Sequence, residues 1–227
     1  MKSTISEIFK WFLLNHCIGT FLFILLQSVQ KRSLIQRSNN ILKALFFIFG
    51  PTIGWFACVI GASKELFWLG PLTVALLVLA SVSIRGSRFF SRILILLLAS
   101  VIFGLLFDSL LIGFDIYTPK RWLMPAPLVT LWLLALWANF SITIDTSLNW
   151  FQNHFGYAAI LGAVFGPIAY LSGQRFGALT INRSLSRAII ILAIAWALAM
   201  VILNIIAKAL PSQEMPQPKR ELKNEAT

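Results

Sequence analysis

One aspartate lies inside an almost unbroken apolar run, where a carboxylate has few structural reasons to occur. Asp108 sits in FGLLFDSLLIG, residues 103–113. At the centre of a membrane helix a carboxylate costs at least about 2.5 kcal/mol on insertion scales, so it normally faces the bundle interior and finds a partner. Three roles are open to Asp108: tying helices together through hydrogen bonds, binding a substrate, or carrying a proton.

Three further polar residues are predicted at nearly the same membrane depth as Asp108. Asp108 lies about eight residues before the end of an apolar segment at about 93–116, the third of six. Tyr170 lies equally far before the end of the fifth, at about 157–178, which runs the same way across the membrane. At about 1.5 Å of rise per residue, the two side chains share one layer. Gln174 and Arg175 follow one turn later. The spacing predicts a polar cluster in which Tyr170 donates a hydrogen bond to Asp108 and Arg175 reaches toward it.

The fourth core segment carries two secondary candidates within WANFSITIDTSLNW, residues 137–150. Asn139 is the deeper one and is predicted to make a hydrogen bond inside the bundle. Asp145 lies near the end of the segment, where a carboxylate costs little. We therefore expect Asp145 at an interfacial helix end.

Six glycines form three pairs with the small-xxx-small spacing that lets helix backbones approach closely. Pro167 directly follows one of them, so a kink or a local opening is expected there. Close helix packing is the favoured interpretation, and a broken-helix transport site is the alternative. The predicted pairs are Gly50 with Gly54, Gly162 with Gly166, and Gly173 with Gly177.

The elements that position these residues follow from composition. Of the 227 residues 58% are hydrophobic and 12% are charged, against about 25% charged residues in typical soluble domains. Continuous apolar runs exclude a β-barrel, so we predict an all-α fold: a polytopic membrane bundle of about six core helices. The predicted helices span about 41–62, 66–84, 93–116, 123–148, 157–178 and 186–209.

The chain divides into three predicted parts. Residues 1–40 form an N-terminal extension whose apolar stretch, 8–26, either spans the bilayer or lies at its interface. Residues 41–210 form the helical membrane domain, and 211–227 form a polar disordered tail. Lys and Arg are more frequent on the side that carries the C-terminus, which places that terminus in the cytoplasm.

Motifs for common membrane chemistry are missing from the sequence. It contains no HExxH, no phosphate-binding glycine loop, and two histidines, His16 and His154, in positions ill suited to a serine nucleophile. We therefore predict no metal site and no cofactor. The net charge of +11 is spread in short clusters between apolar runs, which favours membrane lipids over nucleic acid as partners.

Four stretches from residue 41 onward resemble a known family: IGWFACVIGA (53–62), GLLFDSLLIGFDIY (104–117), WLMPAPLVTLWLLALWANFSITIDTSLNWF (122–151) and GAVFGPIAYLSGQRFGAL (162–179). Together they are similar to the bacterial membrane proteins grouped as domain of unknown function 2878. The resemblance implies a proteobacterial inner-membrane protein with a lipid-related role and carries no established activity. Members often have asparagine where this chain has Asp145, which argues against catalysis at that position.

Three functions compete on the sequence alone. The first is a non-enzymatic accessory protein, associated with lipid or with another inner-membrane protein. The second is a small transporter or lipid flippase that uses Asp108, Tyr170 and Arg175, and it requires a cavity open to lipid or water. The third is a membrane enzyme of acyl-chain or lipid modification, with Asp108 as its acid or base. The absence of catalytic motifs favours the first.

Overall fold

The computed structural model describes residues 34–120 and 127–210, with side chains from Ile41 onward. Within these residues the fold is a bundle of six α-helices, which confirms the predicted fold class. Two 3-10 turns, Ser87–Phe89 and Asn149–Asn153, connect neighbouring helices. The helices are α1 (Leu34–Ser63), α2 (Leu69–Arg85), α3 (Phe90–Gly113), α4 (Leu131–Asp145), α5 (Phe155–Arg175) and α6 (Leu185–Ala209).

Four of the six helices, α1, α3, α5 and α6, are long and apolar enough to cross a membrane, whereas α2 and α4 are apolar but shorter. Long and short helices alike expose large aliphatic side chains such as Leu79 of α2, Leu106 of α3 and Ile160 of α5, each at least 60% exposed. Faces of this kind are stable in lipid and unfavourable in water. The chain is therefore a helical membrane protein.

The short helix α4 lies at the centre of the bundle. It packs against α1, α2 and α3, while α5 packs mainly against α6. Most α4 side chains are buried, including Trp132, Trp137, Asn139 and Asp145. A helix covered on every side by other helices exposes little of its length to lipid, so it can be short and carry polar residues.

The fourth helix is shorter than predicted. We expected it to span 123–148, but α4 begins at Leu131 and ends at Asp145. Residues 121–126 lie outside the described residues. Proline at position 127 cannot donate a helical hydrogen bond, and Thr130 precedes α4 with an extended backbone. The residues between Pro127 and Leu131 therefore lie outside the helix, although they belong to the same apolar run.

The third and fifth helices also end earlier than predicted, at Gly113 and Arg175, and each is followed by a short strand. Strand β1 (Tyr117–Pro119) pairs antiparallel with β2 (Leu179–Ile181). Asp115 and Gly177 make the turns with positive φ, 55° and 78°, a conformation that glycine and, less readily, aspartate adopt. The two-stranded sheet closes the end of the bundle where α3 and α5 stop; we call it the sheet end.

Two predictions fall outside the described residues: the apolar stretch 8–26 and the polar tail 211–227. The first core helix begins at Leu34, upstream of the predicted start at 41. Helices α2 and α6 differ from their predicted bounds by at most three residues at either end.

Candidate functional site

Asp108 is buried, with 1% of its surface exposed, and accepts three hydrogen bonds. The hydroxyl groups of Tyr117 and Tyr170 both donate to Oδ1, the first at 2.7 Å. The indole Nε1 of Trp137 donates to Oδ2 at 2.6 Å. Three donors around one carboxyl group are the arrangement that an ionised carboxylate accepts. The network joins α3, β1, α4 and α5, so Asp108 links four elements of the fold.

Tyr117 was missed by sequence reasoning because it follows the predicted helix at about 93–116, where no further element was predicted. Successive side chains of strand β1 point to opposite faces, so Tyr117 and Pro119 are buried and Thr118 is exposed. Burial raises the pKa of the Tyr117 phenol well above its ordinary value, and the nearby Asp108 charge adds to the effect. The phenol therefore stays protonated and remains a donor. The turn residues in GFDIYTP, residues 113–119, were the available signal.

Trp137 was also missed, because tryptophan in an apolar segment is usually explained by packing. Its ring stacks on Trp196 of α6, with centroids 5.2 Å apart and planes 6° apart. The edges of Phe107 and Phe140 close against the Trp196 ring. Gly104 lets α3 approach this cluster, since a Cβ there would overlap the Trp137 ring. The indole is thereby fixed with its N–H toward Asp108.

The structure separates Gln174 and Arg175 from Asp108. Both side chains are exposed, whereas Asp108 is buried and bonded to Tyr117 and Tyr170. Gln174 Oε1 accepts a hydrogen bond from the Ile181 backbone N–H at 2.8 Å and so holds β2. A charged guanidinium at a helix end is better solvated outside the bundle than beside a carboxylate that already has three donors. Tyr170 alone of the three makes the predicted contact.

A cavity of about 490 Å³ lies directly beside Asp108. Its wall is mostly apolar and aromatic, formed by α1, α4, α5 and α6. Asp108 and Leu179 line it at the sheet end, where both are buried. Trp150, 40% exposed, lines the opposite end, which we call the Trp150 end. The cavity is thus closed near Asp108 and more open at its other extreme.

The cavity is elongated. Its lining residues extend from Phe47 to Val59 on α1 and from Leu161 to Gly173 on α5, a length of about 18 Å at helical rise. An elongated, mostly apolar space of this length suits an extended hydrocarbon chain.

One side of the cavity is built around a proline in the middle of α1. Pro51 has no N–H, so the carbonyl of Phe47 loses its helical partner. Ser147, just beyond the end of α4, donates to that carbonyl at 3.1 Å. Asn139 Nδ2 donates to the Pro51 carbonyl at 2.8 Å, which is the internal hydrogen bond expected of Asn139. Gly54 accommodates this side chain, because a Cβ there would overlap the Asn139 amide.

The opposite side depends on two glycines of α5. A Cβ at Gly162 would overlap the Trp196 backbone, and one at Gly166 would overlap the Trp196 ring. These glycines let α5 and α6 pack closely. The bulky Trp196 side chain can then lie across the α5 backbone and line the cavity.

The remaining predicted glycines play different parts. Gly50 faces Leu77 of α2, where a Cβ would lie 3.3 Å from Cδ2, and Gly173 faces Leu179 at 3.2 Å. Gly177 is no packing glycine: it follows the end of α5 with φ of 78° and open space around it. Its amide and that of Ala178 bond to the last carbonyls of α5, so it terminates the helix.

Asp145 is the last residue of α4, the helix end that was predicted, but it is buried. Its side chain is 4% exposed and lies 2.5 Å from Arg85 and 2.7 Å from Arg92. Arg92 also donates to the carbonyls of Ala207 and Leu210 at 3.0 Å. These bonds cap α6 and tie the ends of α2, α3, α4 and α6 together. Paired cations make burial of this carboxylate favourable.

Comparison with known proteins gives one match. A family model described as "Protein of unknown function (DUF2878)" matches residues 40–202. The chain belongs to this family. The match confirms the resemblance seen in the sequence, and the matched range of this DUF2878 member holds Asp108, Tyr117, Trp137 and Tyr170 together with all the lining residues of the cavity. No curated protein and no solved structure matches the chain.

Proposed function

We propose that this DUF2878 protein is a non-enzymatic, lipid-binding accessory protein that holds one hydrocarbon chain inside its bundle. The observation that carries the proposal is the cavity of about 490 Å³ between α1, α4, α5 and α6. Ligand cavities usually measure about 300–1,000 Å³ and combine apolar walls with a few fixed polar groups. The Asp108 network supplies such groups at one end.

Access from the bilayer supports a lipid occupant. Helices α1 and α5 line facing sides of the cavity, yet α1 packs on α2 and α4, and α5 packs on α6. The rings of Trp55 and Phe56 on α1 meet Phe176 after α5 near the sheet end, with centroids about 6 Å apart. A chain would enter from the membrane between α1 and α5, away from this aromatic contact.

The proposal includes a location and a partner. We propose a bacterial inner-membrane location, and the greater number of Lys and Arg on the side of the C-terminus supports a cytoplasmic position for that side. A protein that stores one chain needs a donor or an acceptor for it, which would be another inner-membrane protein. The sheet end then faces the periplasm.

Transport is the second candidate function, and the length of the cavity favours it. The cavity runs from Asp108 to Trp150 along about 18 Å of the bundle. A small transporter or flippase needs such a route, with Asp108 and Tyr170 as its polar site. Arg175, which the sequence grouped with them, is exposed and would serve only at the surface.

A quenching experiment tests chain binding. A sixteen-carbon alkyl chain brominated near its middle would be titrated into the purified protein in detergent, and tryptophan fluorescence would be followed. We expect saturable quenching, because Trp55, Trp132, Trp137 and Trp196 line the cavity. Replacing Ala169→Phe narrows the cavity and should abolish the saturable part.

The matched control is Val164→Phe on the same helix. Val164 is 49% exposed and lies outside the cavity lining, so this variant should quench as the wild type does. Quenching that never saturates, or that Ala169→Phe leaves unchanged, would contradict chain binding. Movement of a labelled lipid between leaflets of vesicles containing the protein would favour transport over storage.

A further inference from the structure

The hydrogen bonds of Asp108 leave one acceptor position of the carboxylate without a donor among the described residues. A carboxylate offers about four lone-pair sites on its two oxygens. Within the described residues, Oδ1 accepts from Tyr117 and Tyr170, and Oδ2 accepts from Trp137. Asp108 itself lines the cavity. Oδ2 can therefore take one more donor.

Asp108 is the one charged side chain among the described residues that line the cavity. The cations at the Trp150 end, Arg85 and Arg92, are committed to Asp145 and do not line the cavity. An anionic group placed beside Asp108 would lose its solvation and find no cation among the described residues of the wall.

We propose that the ligand is an uncharged single-chain lipid that ends in a hydroxyl group, and that this hydroxyl donates to Oδ2 of Asp108. The inference rests on the proposed function and adds the chemical class of the ligand. Because Asp108 lies at the closed sheet end, the hydroxyl end is innermost and the hydrocarbon chain extends toward the Trp150 end.

The chemistry of the site distinguishes a hydroxyl from other polar ends. A phosphate or carboxylate would lose its solvation in the apolar cavity and would meet no cation in the described wall. An ammonium group would be attracted to the carboxylate, but it brings a full charge and three donors to a single open acceptor position, so its desolvation costs more than that of a hydroxyl. A hydroxyl has one donor and no charge, so its transfer from water into the apolar cavity costs less free energy than that of the charged groups. Pentadecyl methyl ether has the same number of heavy atoms as hexadecan-1-ol and lacks the donor.

Competition against the brominated chain tests the inference on the full chain in detergent. The competitors are hexadecan-1-ol, pentadecyl methyl ether, hexadecylamine and hexadecyl phosphate. A hydrogen bond to a charged acceptor corresponds to about a tenfold gain in affinity or more. We expect the alcohol to bind at least about tenfold more tightly than the ether, and the amine and phosphate to bind more weakly than the alcohol.

Two variants assign the preference to the carboxylate. Asp108→Asn replaces one oxygen with an amide N–H₂ and should bring the alcohol and the ether to equal affinity. Ser109→Ala, next to Asp108 in sequence, removes a hydroxyl that accepts from the Val129 backbone N–H and should keep the preference. The comparison of alcohol with ether on the wild-type protein needs no variant, so a folding defect in Asp108→Asn would not prevent the test.

The outcomes separate the inference from the proposed function. Equal binding of alcohol and ether by the wild type, or tighter binding of the amine or phosphate, would overturn the hydroxyl assignment and leave chain binding intact. A preference that survives in folded Asp108→Asn would overturn it as well. If none of the four chains competes, both the chain-binding function and this inference fall.

Discussion

The indole Nε1 of Trp137 donates a hydrogen bond to Oδ2 of Asp108 over 2.6 Å and joins α4 to α3 inside the bundle. The same indole stacks on Trp196, and the same carboxylate receives Tyr117 and Tyr170 on its other oxygen. One buried carboxylate therefore fixes the orientation of three aromatic side chains around the closed end of the cavity. The packing of the helices and the shape of the cavity end therefore depend on the same contacts.

Removing the carboxylate should destabilise the bundle more than removing one donor. Asp108→Ala leaves three buried donors without their acceptor, and we expect the free energy of unfolding to fall by about 2 kcal/mol. Tyr117→Phe removes one donor and should cost about 0.6 kcal/mol, the mean for such bonds in membrane proteins. Reversible unfolding in mixed detergent micelles measures both. Equal losses for the two variants would show that the network contributes no more than a single bond.

The close crossing of α5 and α6 should depend on Gly166. A Cβ at Gly166 would overlap the Trp196 ring, so Gly166→Ala should lower the free energy of unfolding by about 1–3 kcal/mol. Gly156→Ala on the same helix is the control, because a Cβ there meets nothing within 4 Å. Thermal unfolding in detergent compares them. A Gly166→Ala variant as stable as Gly156→Ala would contradict the packing.

Much of the fold could be predicted from the sequence, because continuous apolar runs determine the number and approximate place of membrane helices. The depth argument also brought Asp108 and Tyr170 together correctly, since equal spacing from helix ends depends on rise alone. It failed for Arg175, because depth does not specify the direction in which a side chain points around its helix. Arg175 points out of the bundle and Tyr170 points into it.

Other site residues were hidden for physical reasons. Tyr117 reaches Asp108 from a three-residue strand, and strands this short leave almost no periodic signal. The pairing of Asp145 with Arg85 and Arg92 joins residues more than fifty positions apart in sequence, and one sequence gives no such distances. The cavity arises from gaps between four helices, which no local pattern records.

The ion-pair network at the Trp150 end should contribute strongly to stability. Asp145→Asn leaves Arg85 and Arg92 largely buried beside a neutral group, and breaking a buried pair in this way costs about 3–5 kcal/mol. Asp115→Asn is the control, since Asp115 is exposed and lies 3.8 Å from Arg183, and such a pair contributes about 0–1 kcal/mol. Unfolding in detergent measures both variants. Similar small losses would mean that Asp145 is well solvated.

The hydrogen bond from Ser147 to the Phe47 carbonyl should matter only while Pro51 is present. Pro51→Ala restores a backbone N–H that can bond to the same carbonyl. Ser147→Ala should therefore cost about 0.6 kcal/mol in the wild type and less when combined with Pro51→Ala. A double-mutant cycle on the free energy of unfolding gives the coupling. Additive effects would show that the serine and the proline act independently.

Native mass spectrometry of the protein extracted gently from its own membrane tests the central claim most directly. We predict that the wild type and Val164→Phe carry one bound single-chain molecule per protein chain, whereas Ala169→Phe carries none. Subtracting the protein mass gives the mass of the bound molecule and shows whether it is an uncharged hydroxylated chain. The same bound mass on Ala169→Phe as on the wild type, or a bare wild-type chain, would contradict a chain held in the cavity beside Asp108.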